Sequence, residues 1–411
     1  MNVRDLRFPL VDSLRAIAAL SVVGAHAAFP SGIFEDDFLR QFVTRLDVGV
    51  TVFFLISGFL LYRPFVRARL ADERQPSTTA YAWRRFLRIV PAYWVALTII
   101  AYVQLDHAEI FSKHGFFTYY CFGQVYRPET GLGGIPQAWT LCVEVAFYAM
   151  LPIWALAMRR LPHRSPRELV RWELIALALL ALASFAYKVV LVQKHALDDS
   201  SLGPYMLSLP QFLDQFAIGM ALAVASVWWS TRDEQPRAVR VLDRRPGIAW
   251  LVAFLAFVAV STQIGLTGEF GEHVDRSEFF ARHYLFTVVA IGLLLPAFFG
   301  DPSNGLVRRV LANRVLLWLG VVSYGIYLWH SAVYEQLTRW GFGEIAEATH
   351  RYIWFFAAAA ASALVAAASY YVVERPALKL KRLVGKREPG RPGEAVREPA
   401  PVIPGGGTGA G

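Results

Sequence analysis

Ten stretches of this chain are each close to 20 residues long, overwhelmingly apolar and nearly free of charge. A helix needs roughly 20 such residues to cross a hydrocarbon core of about 30 Å. The stretches lie near residues 10–29, 47–65, 89–105, 139–158, 172–193, 206–229, 247–265, 283–299, 315–335 and 352–373. Composition supports the same reading. Of 411 residues 55% are hydrophobic and 18% charged, where a soluble domain carries about 25% charged residues. The expected fold is an all-α polytopic membrane protein with about ten transmembrane helices.

A net charge of +9 can signal nucleic acid or anionic lipid as a partner. Its distribution points elsewhere. With the N-terminus inside, the segments assigned to the cytoplasm hold 28 Lys and Arg and those assigned outside hold nine. Positive loops favour the cytoplasm, and the asymmetry recurs at every loop pair. Both termini are therefore expected in the cytoplasm, with membrane lipid as the surroundings and no nucleic-acid partner. The first apolar stretch lacks a clear small-residue cleavage site and carries Arg15 and His26, so it reads as a retained span.

Residues 111–127 are too short and too aromatic for a span, which leaves an interfacial helix or a re-entrant piece. Residues 1–383 are expected to form one transmembrane domain. Residues 384–411, rich in Pro and Gly, read as a disordered cytoplasmic tail. Two cysteines, Cys121 and Cys142, signal neither a disulfide framework nor a zinc site, and no metal is expected.

Ionisable groups inside a span are costly and normally face a bundle interior or a wet cavity. Arg15 and His26 are eleven positions apart, about 1100° of helix and within roughly 20° of three full turns, so they share one face about 16 Å apart. Read blandly, Arg15 is a snorkelling anchor and His26 a packing histidine. Glu144 and His330 fall at roughly the depth of His26 in the fourth and ninth spans. A carboxylate near an imidazole can fix its tautomer, although Glu144 also suits a structural pair and His330 an aromatic belt. Arg85 and Arg88, three apart on one helix face, make a phosphate clamp or simple topology charge. Glu374 is expected to cap or pair locally. Ser57 and Gly58 are expected to permit close helix packing. Two polar sets emerge, a basic one of Arg15, Arg85 and Arg88, and a second of His26, Glu144 and His330 toward the outer third of the membrane. A phosphate-bearing donor on an extended arm would bridge them.

These residues resemble the acyltransferase-3 family of bacterial membrane proteins over about residues 8–378. The motifs that carry the likeness are Asp12-Ser13-Leu14-Arg15 with His26, Phe53-Phe54-Leu55-Ile56-Ser57-Gly58-Phe59, and Arg85-Phe86-Leu87-Arg88 leading to Pro91 and Tyr93. They continue with Trp139-Thr140-Leu141, Glu144, Phe147 and Tyr148, then Ser323-Tyr324 with Tyr327-Leu328-Trp329-His330, and Glu374-Arg375-Pro376. The resemblance implies O-acylation, at the bacterial plasma (inner) membrane, of a carbohydrate, glycolipid or related small molecule. It also implies acyl-CoA as co-substrate, with no cofactor expected to be permanently bound. It implies His26 as general base, Glu144 as its support, and Arg15, Arg85 and Arg88 as the acyl-CoA-binding residues. His330, Trp139 and Tyr324 become the acceptor pocket. Some members add an SGNH-hydrolase domain, and none is expected from these residues. No residue stands out as a covalent nucleophile, so direct transfer is expected. The competing reading is a proton-coupled transporter or flippase, since intramembrane His, Glu and Arg also suit proton relays. The sequence shows no internal repeat to support it.

Overall fold

The computed structural model describes residues 8–27, 37–104, 107–194, 201, 203–232, 234–264, 275–342 and 351–384. Among these the regular structure is entirely helical, as a lipid environment demands when each backbone N–H and C=O must find its partner within the chain. Ten principal helices follow the apolar stretches: α1 Pro9–Ala27, α2 Val48–Leu70, α3 Thr78–Val103, α4 Trp139–Arg159, α5 Pro166–Gln193, α6 Leu209–Ser230, α7 Gly247–Thr262, α8 Arg276–Phe298, α9 Arg314–Arg339 and α10 Arg351–Ser369. The expected tail from residue 385 onward lies outside the described residues.

Local chemistry marks where several of these helices begin. The side chains of Ser77 and Ser165 accept the N–H groups of Ala80 and Glu168. Asp275 and Glu278 form a capping box ahead of α8, and Asn313 accepts from Val315 and Leu316 ahead of α9. Each cap satisfies donors that the first helical turn leaves without partners.

α1 is the hub. Of its most apolar stretch 67% is buried, against 28% for α5. It packs against α2, α9, α8 and α10, while α2 and α6 form a second tight pair with α5 outside them. Small residues set these distances. A β-carbon at Gly320 of α9 would collide with the Asp12 carbonyl of α1, and one at Gly58 of α2 with the Phe216 carbonyl of α6. Close backbone approach at small residues is the usual way helices associate where lipid removes any hydrophobic drive. Gly58 therefore plays the packing role expected of it. Two hydrogen bonds to backbone carbonyls tie α1 further: Ser13 Oγ donates to Leu311 (2.5 Å) and Tyr334 Oη to Val23 (2.8 Å).

The seventh stretch departs from expectation. α7 has only 16 residues, about 24 Å at 1.5 Å per residue. Arg237–Arg244 forms a separate helix bent from it by 89°. Pro246 at the break explains the separation, because the residue before a proline avoids the α region, and Arg245 does so at φ −136°, ψ 64°. Among the described residues nine helices are long and apolar enough to cross a membrane alone, and this bent pair makes the tenth.

Residues 111–127 form no continuous helix. They run through short turns at Lys113–Gly115, Phe116–Tyr120 and Gln124–Tyr126. The segment is pinned to α3, where Tyr93 Oη donates to the Tyr119 carbonyl (2.9 Å) and Trp94 Nε1 to the Tyr120 carbonyl (2.9 Å).

A buried ionic cluster went unnoticed in the sequence. Lys188 of α5 donates to Asp214 Oδ2 of α6 (2.8 Å), to Ser184 Oγ (3.0 Å) and to the Gln211 carbonyl (3.0 Å). His283 of α8 lies 2.8 Å from the same carboxylate oxygen. Each is an ionisable residue within an apolar stretch, which was signal enough to look for partners.

Two outcomes are expected. Gly320→Val should lower the thermal midpoint in detergent, by the equivalent of about 1–3 kcal/mol or more, the usual cost of forcing volume into a packed interior. Asp214→Ala should cost about 3–5 kcal/mol by leaving Lys188 buried without a counter-charge, and an added Lys188→Met should recover much of that loss. An unchanged midpoint in either single variant would contradict the packing described.

Candidate active site

A cavity of about 210 Å³ opens among α1, α2, α3, α4 and α9. Its charged lining comes from three distant parts of the sequence: Arg15 on α1, Arg85 and Arg88 on α3, and Glu144 on α4. Ser57, Tyr148, Tyr324 and Tyr327 contribute polar groups. Three guanidiniums face one carboxylate, so the lining is net positive and suited to an anion.

The three arginines differ in how far they are neutralised. Arg15 Nη1 lies 3.0 Å from Asp12 Oδ1. Arg88 Nη1 lies 3.6 Å from Glu374 Oε2, and its guanidinium is 5.8 Å from the Tyr324 ring. Glu374 is thus no local cap. A π-helical turn, Tyr370–Glu374, follows α10 and carries it, 1% exposed, against α3, and such turns gather at functional sites. Arg85 is placed over the Tyr148 ring at 5.8 Å, and its buried Nε has no hydrogen-bond partner. Among the described residues no carboxylate lies within ion-pair reach of it. It is the cation of the cavity most available to a ligand.

Glu144 sits differently from expectation. Its Oε1 accepts from Ser57 Oγ at 2.5 Å, and it belongs with the arginines rather than with His26. Ser57, read from the sequence as a packing residue, therefore belongs to the site. It orients the carboxylate that shares the cavity with the three arginines. Equal depth along two helices gave no information about which way each side chain points.

The imidazole of His26 instead meets another imidazole. His26 Nδ1 lies 2.7 Å from His330 Nε2, with the rings parallel to within 7°. His330 Nδ1 lies 2.8 Å from the Tyr327 carbonyl. His330 is fully buried and both its ring nitrogens are engaged, so it does not offer itself to an acceptor. His26 is half-buried, and among the described residues its Nε2 makes no hydrogen bond. Of the other residues assigned to an acceptor pocket, Tyr324 lies with the arginines, its hydroxyl donating to the Ile89 carbonyl (2.9 Å). Trp139 packs against Phe212 (ring centroids 5.5 Å) outside the cavity.

Along α9, Tyr324, Tyr327 and His330 follow at three-residue intervals, about 4.5 Å of rise each. Tyr327 is the wall between the two halves of the site. It lines the cavity on one side, and its ring centroid is 5.9 Å from that of His330 on the other. Its hydroxyl bonds Thr140 Oγ1 (2.7 Å) and donates to the Gln137 carbonyl (3.2 Å). In this conformation the arginine cavity stops one turn short of the histidine pair.

Comparison with known proteins adds an independent line. The chain is 25% identical over 360 residues to the peptidoglycan O-acetyltransferase OatA of Listeria monocytogenes, covering 84% of this chain and 51% of that protein. It is 27% identical over 369 residues to the acyltransferase MdmB of Streptomyces mycarofaciens, covering 85% of this chain and 84% of that one. The chain spans about half the length of the first of these relatives. No solved structure matches it significantly. A family model described as an acyltransferase domain matches residues 9–372. The chain therefore belongs to the acyltransferase-3 family, as the motifs around Arg15, His26, Glu144 and His330 led one to expect.

Proposed function

We propose that this protein is a membrane O-acyltransferase. It moves an acetyl or other short acyl group from cytoplasmic acyl-CoA to a hydroxyl of a carbohydrate, glycolipid or related small molecule at the outer face of the bacterial inner membrane. The observation that carries the proposal is the net positive cavity at the Arg15 end of α1, holding an unneutralised Arg85 and leading along α9 toward a half-buried imidazole. Relatives named for O-acetyl transfer support the chemistry. The surplus of Lys and Arg in alternate loops supports an orientation with the arginine end inside.

On this reading Arg85, with Arg15 and Arg88, holds the phosphates of CoA, and the pantetheine arm runs along α9. His26 takes the proton of the acceptor hydroxyl as its oxygen attacks the thioester carbonyl. The C–S bond then breaks, and the CoA thiolate recovers that proton from the imidazolium. A positioned base of this kind contributes about 10²–10⁴-fold. Tyr327 has to swing out of its bonds to Thr140 and Gln137 for the thioester to reach His26. Transfer is therefore gated by a side chain rather than running through an open channel.

The Lys188–Asp214–His283 cluster is the feature that favours a proton-coupled carrier instead. It faces no cavity among those described, and Lys188 and Asp214 are held in a dense hydrogen-bond network, which favours a structural tie.

The test is acyl transfer by purified protein in lipid vesicles, with labelled acetyl-CoA supplied on one side and soluble oligosaccharides or glycolipid on the other. His26→Ala should insert and melt normally yet lose transfer by about 10²–10⁴-fold. Arg85→Ala should raise KM for acetyl-CoA by roughly tenfold, the loss of one charge-assisted hydrogen bond, with a smaller change in kcat. Proton-driven solute uptake without any acyl transfer would overturn the proposal.

A further inference from the structure

We propose that His330 is a positioning residue that fixes the tautomer of His26, so that Nε2 of His26 is the nitrogen left free to accept a proton. The inference rests on the reading of His26 as the base, and it assigns both the atom that acts and the group that selects it.

The Tyr327 carbonyl oxygen can accept but never donate. The nitrogen 2.8 Å from it, His330 Nδ1, must therefore carry hydrogen. A neutral imidazole has one N–H and one lone pair, which leaves His330 Nε2 as an acceptor. The atom 2.7 Å away, His26 Nδ1, must then be the donor, and the lone pair of His26 falls on Nε2. One backbone oxygen thereby sets both rings.

The two alternatives fail on physical grounds. Were His330 to carry its proton on Nε2, two lone pairs would face each other at 2.8 Å between Nδ1 and the Tyr327 oxygen. Were it doubly protonated, a cation would sit at 0% exposure, and among the described residues no carboxylate forms an ion pair with it. Unpaired charge at membrane depth is strongly disfavoured. The Tyr327 oxygen is itself held, since Gln137 Nε2 also donates to it (3.3 Å).

His330 thus occupies the position that a carboxylate takes in a hydrolase triad, where the third member orients the imidazole and steadies its cationic form. A second imidazole does this without burying a permanent anion in the resting protein. When Nε2 of His26 takes the hydroxyl proton, Nδ1–H continues to donate to His330 Nε2, and the new positive charge rests against a neutral acceptor.

Nitrogen-15 NMR of histidine-labelled full-length protein in nanodiscs, with His26 assigned from the signal lost in His26→Gln, tests the assignment without substrate. Wild type should show His26 protonated on Nδ1 and pyridine-like at Nε2. A proton on Nε2 would overturn the proposal. In the vesicle assay His330→Ala should lower kcat by about 10²–10⁴-fold, the scale on which a misdirected imidazole fails, with KM for acetyl-CoA within about twofold of wild type. His330→Gln can accept from His26 Nδ1 through Oε1 and donate to the Tyr327 carbonyl through its amide, so it should return kcat to within about tenfold of wild type. If His330→Gln folds but is as inactive as His330→Ala, or if KM rises while kcat holds, the positioning role is lost. A wild type with the expected tautomer but no acyl transfer would uphold the assignment and remove the proposed reaction instead. If the Ala variant does not fold, the wild-type spectrum and the Gln variant decide.

Discussion

At Gly320 the backbone of α9 runs against Asp12 of α1 with no room for a methyl group. Ser13 bonds the Leu311 carbonyl on the same side, and Tyr334 bonds the Val23 carbonyl farther along. These contacts fix the axial register of two helices whose polar residues come from sequence positions some 300 apart. A slip of one turn, about 5.4 Å, would part His26 from His330 and move Arg15 away from Tyr324. Catalytic geometry has to be held to a fraction of that distance. The contact is therefore a condition for the site as well as for the fold, and α1 is accordingly the most enclosed of the nine single-helix spans among the described residues.

The charges within this bundle fall into two kinds. Arg69 with Glu173, and Lys188 with Asp214, are matched, enclosed and densely bonded. They stitch neighbouring helices together, and such pairs are retained because breaking them strands a charge. The cavity arginines are matched unevenly. Arg15 keeps a hydrogen-bonded pair with Asp12 at 3.0 Å, Arg88 is 3.6 Å from Glu374, and among the described residues Arg85 has no carboxylate in reach. That residual positive potential is left for a ligand to satisfy. The same contrast separates the two histidine environments. His283 lies against a carboxylate in the stitched group, whereas His26 lies against a neutral ring.

Helix number and most boundaries were legible in the sequence because apolar length is a local property that lipid imposes directly. The arginine set was legible as well, since Arg85 and Arg88 share a face by spacing alone and the cavity joins them to Arg15. The rest depended on rotation about each helix axis, which length and depth do not report. Glu144 and His26 have similar depth, yet Glu144 turns toward Ser57 and His26 toward α9. His330 was placed with an acceptor because its burial could not be seen in one dimension. Glu374 was read as local because a π-helical turn, which shifts the facing of every later residue, leaves little trace in a sequence. The apolar run that follows Pro246 masked how short the helix behind it would be.

That short helix has a consequence for the surrounding lipid. α7 offers about 24 Å of apolar length to a bilayer whose hydrocarbon layer is about 30 Å, and it lines a crevice with α1, α2 and α8. Hydrophobic mismatch of this size is relieved by thinning the bilayer, at a fraction of a kcal/mol per Å. The membrane on this flank of α1 should be dimpled, with headgroups drawn inward beside the helix that carries both Arg15 and His26. A substrate arriving within the lipid would meet a lower barrier there than elsewhere on the protein's perimeter. On the proposed function, the rate of acyl transfer would then depend on the acyl-chain length of the host membrane as well as on the substrates.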